Sequence, residues 1–128
     1  MNKRIYILTA VVAFAVIGFF GYQKYATNQK PKVVKFEGDA VIKMGVDSYE
    51  PTDFEIKKGA TVKFVNEADG LRWPASDLHP SHLVFSEFDP KEPVAKGASW
   101  EFKFEKAGEW GYHDHLAPYI TGTIKVTE

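Results

Sequence analysis

The chain is 128 residues long, carries a formal net charge of −1 and contains no cysteine. That length allows one ordinary domain beside any targeting segment. The balanced charge leaves no electrostatic case for nucleic acid, and the missing cysteine excludes disulfides, thiolate metal ligands and a cysteine nucleophile.

The first element is a membrane segment. Lys3 and Arg4 form a short basic start, and an uncharged, mostly apolar run follows from Ile5 to Tyr22. A hydrocarbon core takes roughly 20 such residues to cross. The run reads as an uncleaved anchor within residues 1–26, with a cleaved signal sequence as the alternative. Lys24 stands three residues before Ala26 and spoils the small-x-small pattern that cleavage requires. Lys3 and Arg4 should stay in the cytoplasm, placing the rest of the chain outside, in a periplasm or at a cell surface. Residues 27–35 are polar and basic and read as a stalk. Residues 36–128 form the domain.

Within that domain the apolar residues alternate at period two. Phe54 and Ile56 alternate with Glu55 and Lys57, and Val62 and Phe64 with Lys63. Trp100, Phe102 and Phe104 share one face against Glu101 and Lys103, and Ile124 and Val126 close the chain. Glycines at 59, 70, 97, 108 and 122 fall in or beside the turns between these stretches. Short alternating strands with turn signals predict an all-β Greek-key sandwich of seven or eight strands. The segment from Ala68 to Pro93 contains four prolines. It is expected to be mostly loop, with a short strand near His82–Phe85. A loop of that length in a compact domain is usually functional.

All four histidines fall in two short segments, "HPSH" at 79–82 and "HDH" at 113–115. On a strand, His113 and His115 would face one way and Asp114 the other. Two imidazoles at that spacing make a bidentate start for copper or zinc. Any single histidine would read as an ordinary core or surface residue, but both pairs together predict a metal site built from His79, His82, His113 and His115. Ser76, Ser81 and Ser86 lack a nucleophile-elbow context, so a hydrolase triad is not supported. Trp73, Trp100, Trp110 and Tyr112 read as packing residues; Glu87 and Asp89 could offer oxygen ligands, but acidic loop residues are more often solvated. Asp114 has two readings: it accepts a ring N–H and fixes a tautomer around the metal, or it caps or pairs with a neighbour such as Arg72.

The stretches "YEPTDFEIKKGATVKFVN", "KGASWEFKFEKAGEWGYHDH" and "GTIKVT" resemble the cupredoxin family over residues 45–128. The family's closing pattern, Gly-x-Tyr-x-Tyr-x-Cys-x-x-His-x-x-Met-x-Gly, lies on this chain without a gap from Gly108 to Gly122, with Trp110 and Tyr112 at the aromatic positions. The cysteine position is then Asp114, the histidine position Ala117 and the methionine position Ile120. Of the blue-copper ligands only the upstream histidine is retained, as His82 in "HLV". "HPSHLV" and "HDH" are also similar to the "HPxHxH" and "HCH" motifs of multicopper oxidases. By that resemblance His82, His113 and His115 correspond to ligands of the oxygen-reducing coppers and His79 to a former type 1 ligand. The implied fold is a cupredoxin sandwich whose metal site contains only histidine, displaced from the usual place because the histidines flank the cysteine position.

Copper is the metal that the resemblance implies, with zinc as the alternative for an all-imidazole set. The expected function is a membrane-anchored, extracytoplasmic copper-binding protein for sequestration, sensing or delivery. A copper-dependent oxidoreductase and an electron-transfer protein are the alternatives. The expected partners are the metal ion and the membrane, with the protein partner left open.

Overall fold

The structure, a computed structural model, describes residues 16–22 and 32–128. Residues 16–22 are helical. The rest of the expected spanning run, and residues 27–31 of the expected stalk, lie outside the described residues. Among the described residues no helix is long and apolar enough to cross a membrane. The chain divides into two units at Pro31 and Lys32.

The second unit is built from nine strands: β1 Val34–Lys35, β2 Ala40–Met44, β3 Tyr49–Glu50, β4 Asp53–Lys57, β5 Thr61–Asn66, β6 Pro74–Ser76, β7 Ser99–Lys103, β8 Gly108–Asp114 and β9 Ala117–Thr127. They form a five-stranded sheet in the order β1-β4-β9-β8-β6 and a four-stranded sheet in the order β3-β2-β5-β7. Only β2 to β3 and β8 to β9 connect strands within one sheet; every other connection crosses between sheets. The all-β sandwich expected from alternation is present, with nine strands in place of seven or eight. The excess lies in β1 and β3, each two residues long. Val34 and Lys35 pair in register with Phe54 and Glu55, so the end of the expected stalk belongs to the sheet.

Alternation turns directly into packing. In β5 the buried residues are Val62, Phe64 and Asn66, and in β4 they are Phe54 and Ile56. The core joins both sheets through Phe54, Phe64, Phe104, Tyr112 and Ile124, with Trp100 and Phe102 packed against it. Burying each such aromatic or aliphatic side chain is worth roughly 1.5–3 kcal/mol.

The long segment behaves differently from its prediction. Its strand is β6, at Pro74–Ser76, and His82–Phe85 is a turn. His82 has φ 54°, in the left-handed region. Its amide bonds to Leu78 O at 2.8 Å, and the Val84 amide to Asp77 O at 2.9 Å, so this backbone closes on itself and has no ladder to join. Two phenylalanines then tie the segment down. Phe88 is fully buried and packs on Phe64, Trp100, Phe102 and Phe104, while Phe85 packs on Phe102 and Trp110. Pinning the loop to the core in this way brings its histidines against β8.

Candidate metal centre

His113 is near the end of β8, beside Ala75 of β6, and His115 follows in the turn to β9, its amide bonded to Trp73 O. The expected strand does not extend through the pair: β8 ends at Asp114 with a register shift after His113, and the turn carries His115, whose ring centroid lies 6.4 Å from that of His113. His79 and His82 come from the pinned loop. Ring centroids lie 5.3 Å apart for His79 and His113, 4.9 Å for His79 and His115, 5.1 Å for His82 and His113, and 4.8 Å for His82 and His115. The fold therefore brings together all four predicted histidines from segments more than thirty positions apart.

Three of them, His79, His113 and His115, each offer a ring nitrogen within 4.8 Å of the others. Nitrogens sharing one ion at about 2.0–2.1 Å sit no more than about 4.2 Å apart, so the rings need only a small inward adjustment. His79 is exposed and His113 is 2% exposed, which gives the cluster one solvent-facing and one buried side. The donor set fits a metal on a specific observation. Among the described residues, His113 Nε2 is the buried side-chain nitrogen without a hydrogen-bond partner. An orphaned buried polar atom costs roughly 1–3 kcal/mol, and a metal bond would satisfy it.

Burial lowers the His113 pKa, and the neighbouring His82 and His79 lower it further, against the raising effect of Asp77. The His115 pKa is also lowered, first by burial and then by His82 and His79. Both rings therefore stay neutral, as ligands must be, to a lower pH than a free imidazole.

The carboxylates around the cluster differ from expectation. Asp114 makes no hydrogen bond to an imidazole. Its Oδ2 accepts the Tyr49 hydroxyl at 2.7 Å and lies 3.7 Å from Arg72 Nε. Its Oδ1 accepts the backbone N–H groups of Leu116 and Ala117. The second reading of Asp114, capping with Arg72 alongside, is the one realised. Two other carboxylates reach the imidazoles. Asp77 Oδ1 lies 3.2 Å from His113 Nδ1, and Asp89 Oδ2 lies 2.7 Å from His82 Nδ1. Asp89 is not a solvated loop residue: Trp73 Nε1 and the Lys91 amide also donate to it, each at 2.9 Å. Burial would raise its carboxyl pKa, but hydrogen bonds from His82, Lys91 and Trp73 outweigh that and hold it far below the usual range. Asp77 gave no sequence signal, because its access depends on Gly111 in the neighbouring strand. A Cβ at Gly111 would collide with the Asp77 carboxylate.

Ala117 and Ile120, 8% and 2% exposed, are core residues and offer no donor atom.

No protein-family model matches the sequence. A plastocyanin from Scenedesmus fuscus is 31% identical over 106 residues, covering 69% of this chain and 99% of that protein. A purple cupredoxin from Nitrosopumilus maritimus superposes with a TM-score of 0.59 at 25% identity, over 70% of this chain and 100% of the other. A reduced mutant of amicyanin gives 0.60 at 22% identity, over 72% and 85%. A Cu-containing nitrite reductase from Thermus scotoductus SA-01 gives 0.60 at 23%, over 75% of this chain but only 28% of that one.

Proposed function

The chain belongs to the cupredoxin family, and from that premise we propose that it is a membrane-anchored, extracytoplasmic copper-binding protein with a histidine-only site. The observation that carries the reading is the buried, unpartnered Nε2 of His113 at the meeting point of four imidazoles. His79, His82, His113 and His115 surround the site. Imidazole nitrogens suit Cu(II), and the affinity order of divalent metals favours copper over zinc for such a set. The relatives whose names print a metal print copper, so zinc is not carried forward. Bound copper would supply a Lewis-acidic, one-electron centre. Without thiolate or thioether at positions 114 and 120, it would lack the intense colour of a type 1 site.

Capture of the ion, for sequestration, sensing or delivery, suits this arrangement. His79 and His82 sit on a loop beside His113 and His115, and His79 faces solvent, so an ion has an entry path. The basic start and apolar run before residue 23 support anchoring, with the domain outside the cytoplasm. A second reading, a copper oxidoreductase, draws on the same solvent-facing side, where a small oxidant could reach the site. Electron transfer ranks below both, since a type 1 centre's ligands are missing.

The test is to isolate the chain from cell fractions without added metal and measure copper content and paramagnetic resonance. Copper in the membrane-bound chain, with nitrogen ligands, a wide type 2 splitting and a pale colour, is expected. A deep blue or red protein overturns the ligand assignment. A soluble mature chain starting near residue 26 or 27 overturns the anchor.

A further inference from the structure

The four imidazoles are not equivalent in their hydrogen bonding. His82 is 4% exposed and has both ring nitrogens engaged: Nδ1 lies 2.7 Å from Asp89 Oδ2, and Nε2 lies 2.9 Å from His115 Nδ1. An ionised carboxylate only accepts, so His82 Nδ1 carries the proton and donates to Asp89. A neutral imidazole has one donor and one acceptor, which makes His82 Nε2 the acceptor. The proton between the two rings therefore belongs to His115 Nδ1, and the lone pair of His115 is left on Nε2. His113 follows the same rule by a shorter route. Its Nδ1 donates to Asp77, leaving Nε2 bare.

We propose that His82 is a positioning residue and not a ligand. It is the middle of a chain, Asp89 to His82 to His115, that fixes the His115 tautomer and presents its Nε2 to copper. Copper is then held by His79, His113 and His115, the three whose nitrogens cluster. For His82 to bind through Nε2 it would have to release His115, stranding an N–H in a crowded pocket. The far end of the chain is firmly held. Asp89 receives Trp73 Nε1, the Lys91 amide and Lys91 Nζ, each at 2.9 Å. Trp73 also packs on the His115 ring, with centroids 4.8 Å apart. One tryptophan thus braces both ends of the relay. Metal-bound histidines commonly pass their second N–H to a carboxylate or carbonyl; here a second imidazole stands between.

The ligand half of this inference rests on the copper reading, whereas the relay itself does not. Nitrogen-15 resonance of the metal-free full chain, labelled in histidine and held near pH 8, should show His82, His113 and His115 each protonated at Nδ1. A charged His82 donating through Nε2, or His115 protonated at Nε2, overturns the relay. In the Cu(II)-loaded chain, pulsed resonance should count three bound imidazoles. The count should stay at three in His82→Gln, whose amide oxygen can still accept from His115, and fall to two in His79→Ala. A fall in His82→Gln, or four imidazoles in the unaltered chain, makes His82 a ligand and overturns the assignment. His82→Leu should weaken copper binding about 10- to 100-fold, with His82→Gln recovering much of it. If His82→Leu does not fold, the tautomers and the His82→Gln count still decide. A chain that takes up no copper overturns the ligand half, while the metal-free tautomers still decide the relay.

Discussion

The carboxylate of Asp114 accepts one phenol and two backbone N–H groups and faces a guanidinium, all within a buried setting. Arg72 in turn donates to the carbonyls of Gly45 and Val46, so the network ties β8 to the loop after β2. The Tyr49 phenol is pushed well above its ordinary pKa, first by burial and then by the Asp114 charge, so it remains a donor. Asp114→Ala would strand the Tyr49 hydroxyl and two amides. It should cost about 3 kcal/mol in urea unfolding, and Asp114→Asn should cost less. The copper resonance spectrum of either variant should match the unaltered chain. A changed spectrum with unchanged stability would return Asp114 to the metal site. At this scale the histidine set was legible because rare residues concentrated in two segments. The partners of their rings were not legible. Asp77 and Asp89 are ordinary loop aspartates until the fold places them, and Gly111 matters only through what a Cβ would strike.

Among the elements, β4, β5 and β7 were legible because each alternates over five or more residues, and β9 through the shorter alternation of Ile124 and Val126. β6 was not. Its three residues, Pro74, Ala75 and Ser76, are all buried, so it shows no period at all. The loop it opens is organised by Phe88, whose ring lies 5.2–5.6 Å from those of Phe64, Trp100, Phe102 and Phe104. Its four prolines mark this stretch as loop, yet the aromatic anchor does the holding. Asp89 follows Phe88 directly, so the anchor also sets the start of the His82 relay. Phe88→Ala should cost about 3–5 kcal/mol by cavity formation. It should also weaken copper binding more than an equally destabilising change in β4, such as Ile56→Ala. Thermal melts and copper titrations of the two variants side by side make the comparison. Equal copper affinities would detach the loop anchor from the site.

For the domain as a whole, the apolar core runs through both sheets and contains no histidine. The sandwich should therefore form without metal, in contrast to small metallodomains that unfold without their ion. Residues 32–128 should show sheet-rich circular dichroism and a cooperative melt when metal-free. Acid should weaken that metal-free state in a defined window. The pKa values of His113 and His115 are lowered from 6.5 in the folded chain. Below that value the unfolded chain binds protons that the folded one refuses, so stability is greatest above pH 6.5 and declines as pH falls beneath it. Copper would change the balance by binding the folded form in preference to the unfolded one. At a free concentration a hundredfold above its dissociation constant it adds about 2.7 kcal/mol. In a domain of this size each kcal/mol moves Tm by about 4–8 °C. Protons compete for the same imidazole nitrogens, so the copper increment should shrink as pH drops below the folded pKa values, while the sandwich itself persists. Melting curves from about pH 8 to about pH 5, with and without Cu(II), check both slopes. A metal-free chain that is disordered at neutral pH would make copper part of the fold, and a copper increment independent of pH would remove the imidazoles from the site.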